Sequence, residues 1–179
     1  MNTDVMYDNV MNKFTWTNLD NPDVYYTQDY LGFVLNSRST FNTLADALIR
    51  KGDYEKASEV LIKCLEVMPN ESVSYDFFNV QQIDMLIRLS QMKTGYTNET
   101  DSTAELRYAY DIAEVTSNAA VEWLDYYFES GGIESTELQK RIFTLNEIAR
   151  AFRANGDKEN ATKYEALFSD YYSRLGGQR

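Results

Sequence analysis

The stretch 51-KGDYEKASEVLIKCLEVMPN-70 decides the fold, and 155-NGDKENATKYEALFSDYY-172 echoes it. Each places Gly-Asp after an apolar-periodic run and an alanine five residues past the glycine. In the first, Gly52 is positioned to end one helix, since glycine adopts the left-handed conformation of a helix C-terminus without penalty. Asp53 is expected to cap the next. That next helix carries Ala57, Val60, Leu61, Cys64, Leu65 and Met68 on one face, and Pro69-Asn70 closes it.

Working outward, Leu31, Val34, Leu35, Phe41, Leu44, Ala45 and Leu48 recur at three-to-four spacing and predict a helix from Asp29 to Gly52. After Pro69, Phe78, Ile83, Met85, Leu86, Ile87, Leu89 and Met92 cover more than one face of a helix over about 75–93. That helix is expected to be central, buried on two sides. The polar run 94-TGYTNETDST-103 reads as a loop. A long helix over about 102–129 buries Ala109, Ile112, Ala113, Ala120, Trp123, Leu124 and Tyr127, and Gly131-Gly132 breaks it. The fifth helix, about 135–154, uses Leu138, Ile142, Leu145, Ala149 and Phe152. The sixth uses Ala161, Tyr164, Phe168, Tyr171 and Leu175. No segment alternates with period two, so no sheet is expected. Six helices with short connections read as three antiparallel hairpins. Residues 1–27 form an arm packed on the body, with a short helix near Val5–Phe14. Residues 28–175 form one helical domain, and residues 176–179 are a frayed tail.

The window Arg38–Asn70 resembles a tetratricopeptide repeat. Phe41 takes the first aromatic position, Leu44-Ala45 the Leu-Gly pair, and Leu48 the next large position. Gly52-Asp53-Tyr54 makes the turn, and Ala57, Leu61, Cys64 and Pro69 complete the second helix. Small residues at 45 and 57 let the paired helices approach while the large ones fill the gap between them. Ile142–Tyr172 is a partial match, departing at Phe168. Gly52 and Gly156 stand about three 34-residue periods apart, with one hairpin between them, so the middle unit is degenerate and stretched. The resemblance implies an all-α, right-handed stack of about three hairpins. It also implies a concave face built by the first helix of each, where Asn42, Asp46, Arg50, Asn146, Arg150 and Arg153 are placed as a groove for a protein or peptide.

A second resemblance rests on 7-YDNVMNKFTW-16, 44-LADALIRKGDYEKASEVLIKCLEVMP-69 and 73-VSYDFF-78. Together these are similar to the C-terminal soluble region of a bacterial family of large multi-pass membrane proteins of unassigned function. The membrane part of that family looks like the glycosyltransferase-C fold. The resemblance implies an excised domain on the periplasmic face of an inner membrane, with the parent's own membrane part among its candidate partners.

The composition narrows the chemistry. Of 179 residues, 44% are hydrophobic and 14 are tyrosine, a globular composition, with a formal net charge of −11. That charge disfavours nucleic acid, which needs a basic face, and docking on anionic lipid. No run reaches the ~18 apolar residues of a membrane span, and residues 1–30 are too polar for a signal peptide. There is no histidine, so the commonest general base and metal ligand are missing, and the single cysteine, Cys64, has no base to activate it. The pairs Asp4/Asp8 and Glu55/Glu59 sit among polar neighbours and lack the burial a general acid needs. The acids of 98-NETDSTAE-105 lack the order and central glycine of a calcium loop. Asn70, Asn98 and Asn160 head glycosylation sequons. No catalytic residue, metal or cofactor is expected. Of the doublets Tyr25-Tyr26, Tyr126-Tyr127 and Tyr171-Tyr172, the helical pairs each place one ring inward and one outward. The outward rings support an alternative reading, an accessory carbohydrate-binding domain of a glycosyltransferase.

Overall fold

The structure, a computed structural model, describes residues 2–94, 103–131 and 136–176. Helix α1 (Thr3–Asp8) runs into a π-helical turn, Asn9–Lys13. Then come α2 (Gln28–Lys51), α3 (Tyr54–Val67), α4 (Phe77–Thr94), α5 (Ala104–Glu129), α6 (Thr136–Ala154) and α7 (Lys158–Gly176). There is no strand among the described residues. The polar loop expected at 94–103 and the Gly132 break lie largely outside them. No helix among them is long and apolar enough to cross a membrane.

The hairpins α2/α3, α4/α5 and α6/α7 stack in chain order. Both glycine turns take the expected form. Gly52 has φ 83° and Gly156 φ 82°. At each, the next residue's N–H returns to a carbonyl inside the helix, Asp53 to Leu48 at 3.0 Å and Asp157 to Phe152 at 3.1 Å. The caps differ. Asp157 Oδ1 accepts the Asn160 N–H at 3.0 Å, whereas Asp53 makes no side-chain cap and instead pairs with Lys56 at 3.0 Å. The expected capping role of Asp53 is thus corrected: a lysine one turn on competes for its carboxylate.

The small residues do what the hairpin requires. Ala45, Ala57 and Cys64 are fully buried between Phe41, Leu44, Leu48 and Leu61. Helix α4 is buried on two sides, through Val80, Ile83, Leu86 and Leu89 but also through Asn79 and Gln82. These amides form a chain. Asn79 Nδ2 donates to Gln82 Oε1 at 3.1 Å, and Gln82 Nε2 donates to Asn42 Oδ1 at 2.8 Å and to Cys64 Sγ at 3.4 Å. Satisfied inside the core, it fixes the register of α2, α3 and α4.

Helix α4 starts at Phe77, two residues later than its apolar pattern predicts. Asp76 Oδ1 accepts the N–H groups of Phe78 and Asn79, and Asn79 Oδ1 accepts the Asp76 N–H at 3.1 Å, a reciprocal cap. The connection before it is held by Arg38, which is fully buried. Its guanidinium donates to the carbonyls of Ser74 (2.7 Å), Met68 (3.2 Å) and Val73, and stands 3.7 Å from Asp76.

Two apolar clusters result. The larger runs from Val10 of the arm through the first two hairpins to Phe152 and Tyr164. The smaller joins Ala120, Leu124 and Tyr127 of α5 to Leu138, Ile142, Leu145 and Tyr171. The arm closes the first hairpin: Val10 is fully buried, Trp16 packs on Phe41 with ring centroids 5.0 Å apart, and Tyr7 bonds to Glu59.

Candidate interaction surface

Helix α4 packs directly on both α2 and α6, while α3, α5 and α7 stand further apart from one another. The first helices therefore share one layer. Its surface has two zones.

The first lies between the N-terminal half of α4 and the C-terminal half of α6. Phe77, Val80, Gln81 and Asp84 face Glu147, Arg150, Ala151 and Ala154 across a cleft of about 250 Å³. Arg150 pairs with Glu147 at 2.7 Å, and Asp84 pairs with Arg88 at 3.5 Å and accepts from Asn155 Nδ2 at 2.8 Å. On α2, Asp46 and Arg50 pair at 2.5 Å, and Arg50 is exposed.

The six groove residues are not equivalent. Arg150 lines this cleft, and Asp46 and Arg50 share the surface of α2. Asn146 is half-buried on α6. Asn42 is interior: its Nδ2 donates to the Phe78 carbonyl at 2.8 Å and its Oδ1 accepts from Gln82, so it joins two repeats. Arg153 pairs with Glu165 of α7.

The second zone is a notch at the N-terminus of α4. Asn42 of α2 lies level with Phe78, and Glu147 of α6 lies across the cleft from Phe77. By that register α2 begins about 13 residues and α6 about 11 residues before α4, so they overhang it by roughly 15–20 Å. The space between is a cleft of about 510 Å³, walled by Leu35, Tyr75, Phe77, Phe78 and Phe143 and floored by Thr116 and Ala120 of α5. Phe77 and Phe143 are 52% and 54% exposed. A cleft of about 540 Å³ under residues 22–26 of the arm continues it, sharing Leu35, Tyr75, Asp76 and Arg141. Burial pushes the Asp76 carboxyl above its ordinary value, against the pull of Arg38 and of the two N–H groups it caps.

Sequence reasoning does not assign these aromatic residues to the groove. A signal is present nonetheless: Phe77 and Phe143 are large apolar residues one position off the buried stripes of α4 and α6. The tyrosine doublets divide as expected, with Tyr126 72% exposed beside buried Tyr127, and Tyr172 exposed beside buried Tyr171. Cys64 is buried, and burial pushes its thiol up to about 12, an inert packing residue.

With this geometry in place, the comparison with known families bears on the first hairpin. Residues 39–71 match the tetratricopeptide repeat family. The matched tetratricopeptide unit is the C-terminal half of α2 and all of α3, so Asp46 and Arg50 lie on its first helix. No similar curated protein and no similar solved structure was found. Tetratricopeptide repeats are generally non-catalytic modules that bind proteins or peptides.

Proposed function

We propose that this chain is a non-catalytic scaffold module that captures a protein segment on the layer of α2, α4 and α6. The observation that carries the reading is the tetratricopeptide match at 39–71, on a hairpin whose first helix forms part of that layer. Surface ion pairs such as Asp46–Arg50 and Glu147–Arg150 add little stability. They act instead in steering and selecting a polar partner. The similarity of 7–16, 44–69 and 73–78 to the soluble end of a multi-pass membrane family supports a place beside a membrane-embedded parent on the periplasmic face. It also supports the parent's own loops as a candidate partner.

A photo-crosslinking amino acid at Gln81, which is exposed and lines the α4–α6 cleft, tests the reading in cells of the source organism. The expected result is a discrete protein adduct that disappears when Arg50→Ala and Arg150→Ala are combined. The same adduct at the same yield in that double variant would count against the layer as the site.

One observation favours a second reading, sugar recognition: exposed Phe77 and Phe143 rings stand at the notch, and saccharides stack on such faces.

A further inference from the structure

We propose that the notch at the N-terminus of α4 is the anchoring subsite of this layer, and that it takes a bulky apolar side chain of a partner peptide with a carboxylate beside it. This deepens the protein-capture reading and rests on it.

The shape argues for an inserted side chain. The cleft of about 510 Å³ lies within the range of small-ligand pockets, ~300–1,000 Å³. Its walls are aromatic and aliphatic on three elements, and two of the rings remain half-exposed although the neighbouring core is closed. An apolar group placed between Phe77 and Phe143 would remove both from water, the main source of affinity at interface centres.

The charges argue for the flanking group. Two carboxylates reach the notch, and both are already paired. Asp76 caps α4 and faces Arg38, and Glu137 accepts from Arg141 Nε at 2.8 Å. The remaining charge at the rim is cationic. That charge is Lys140, which is exposed with no partner among the described residues; Arg141 pairs with Glu137 but keeps its terminal N–H groups as donors. On a chain of net charge −11, an unpaired lysine beside an apolar cleft complements an anion. A neutral saccharide carries no anion to complement Lys140, whereas a peptide can place a carboxylate beside its apolar side chain. The peptide is therefore the better fit.

The test uses the full 179-residue chain, labelled with nitrogen-15 and followed by amide NMR. The probes are acetyl-Ser-Ser-Phe-Asp-Ser-amide, the same peptide with alanine for its phenylalanine, the same with lysine for its aspartate, and maltotriose. The Phe-Asp peptide is expected to give saturable shifts at Phe77, Phe78, Thr116, Phe143 and Thr144. Loss of the ring weakens binding about tenfold. Reversal of the charge weakens it about threefold, as for an exposed rim contact. Lys140→Glu removes the preference for aspartate over lysine, and Phe143→Ser, at a half-exposed position, weakens binding about tenfold with the spectrum otherwise native. Equal affinity for the alanine peptide, absence of shifts at the notch, or shifts there with maltotriose and none with peptide would each overturn the proposal. If the peptide binds the notch but the Arg50/Arg150 variant keeps its cellular adduct, the polar zone is excluded and the notch stands. If the adduct is lost in that variant while no peptide binds, the notch alone fails.

Discussion

Glu105 is 2% exposed at the start of α5, where it accepts from the Ser58 hydroxyl and the Lys93 ammonium. Burial by itself would raise its carboxyl, but the bonds from Lys93 and Ser58 outweigh that and hold it at about 2, against 4.5 in an unstructured chain. The unfolded chain therefore takes up the proton first, so this interaction stabilises fully above pH 4.5 and is lost as pH falls toward 2. Lys93 is 41% exposed, and after solvent screening the contribution is on the order of 1–2 kcal/mol. Urea unfolding at pH 6 and pH 2.5 is expected to show wild type losing that much more stability than Glu105→Gln; equal losses would disprove the role. Arg38 poses a different test. Replacement by leucine strips donors from three carbonyls and leaves the half-buried Asp76 without its cation, at an expected cost of about 3 kcal/mol in urea unfolding. Neither role is legible in the sequence. Arg38 is one charged letter in a polar helical stretch, and Ser58, Lys93 and Glu105 come from three helices. Contacts that join distant segments leave no local pattern, whereas the small residues Ala45, Ala57 and Cys64 obey a spacing that announces their burial.

At the level of elements, the same Gly-Asp pair does two things. Both glycines end their helices in the left-handed conformation, which the letters alone predict. The aspartates diverge because their downstream neighbours differ. Asp157 has Asn160 three residues on, whose N–H and side-chain amide both turn to its carboxylate, and it also accepts from the Tyr110 hydroxyl at 3.1 Å. Asp53 has a lysine at the same offset. Thermal or urea unfolding should find Asp157→Ala costly by about 1 kcal/mol and Asp53→Ala by only a few tenths. A reversed order would mean that the two turns are misassigned. The groove residues show the same limit. Helical register places Asn42 and Arg150 on the first helices of their hairpins, but which of them remains at the surface depends on how closely the next hairpin approaches. Asn42 meets Phe78 and Gln82 and is enclosed, while Arg150 meets no further helix.

Across the whole molecule, the arm serves as the cap that any stack of hairpins requires at its open end. Val10, Trp16 and Tyr7 cover the outer side of α2 and α3, and Asp4 pairs with Lys51 at 3.0 Å. Removing residues 2–16 uncovers Phe41 and its neighbours. The shortened chain is expected to lose on the order of 3 kcal/mol or more and to bind an apolar dye. A variant as stable as the full chain would show that the arm is an ornament. The stacked hairpins are readable from periodicity and turn letters. The notch is not, because it arises from unequal helix lengths: α2 and α6 overhang α4, and only the capping by Asp76 sets where α4 begins.

The floor of that notch has a further consequence. Thr116 and Ala120 are one turn apart on α5, and the division between the two apolar clusters falls between Ala113 and Ala120. The division thus crosses α5, α6 and α7 alike, the two clusters are expected to open as separate units, and an occupant of the notch touches Tyr75 on one side of it and Ala120 on the other. Without it, amides of the smaller unit are expected to exchange with deuterium through an opening that leaves the larger one closed. With it, the smaller unit gains protection in proportion to the logarithm of ligand concentration. At saturation the two sets of rates converge, and hydrogen-exchange mass spectrometry would register binding as a change in how many parts the domain unfolds in.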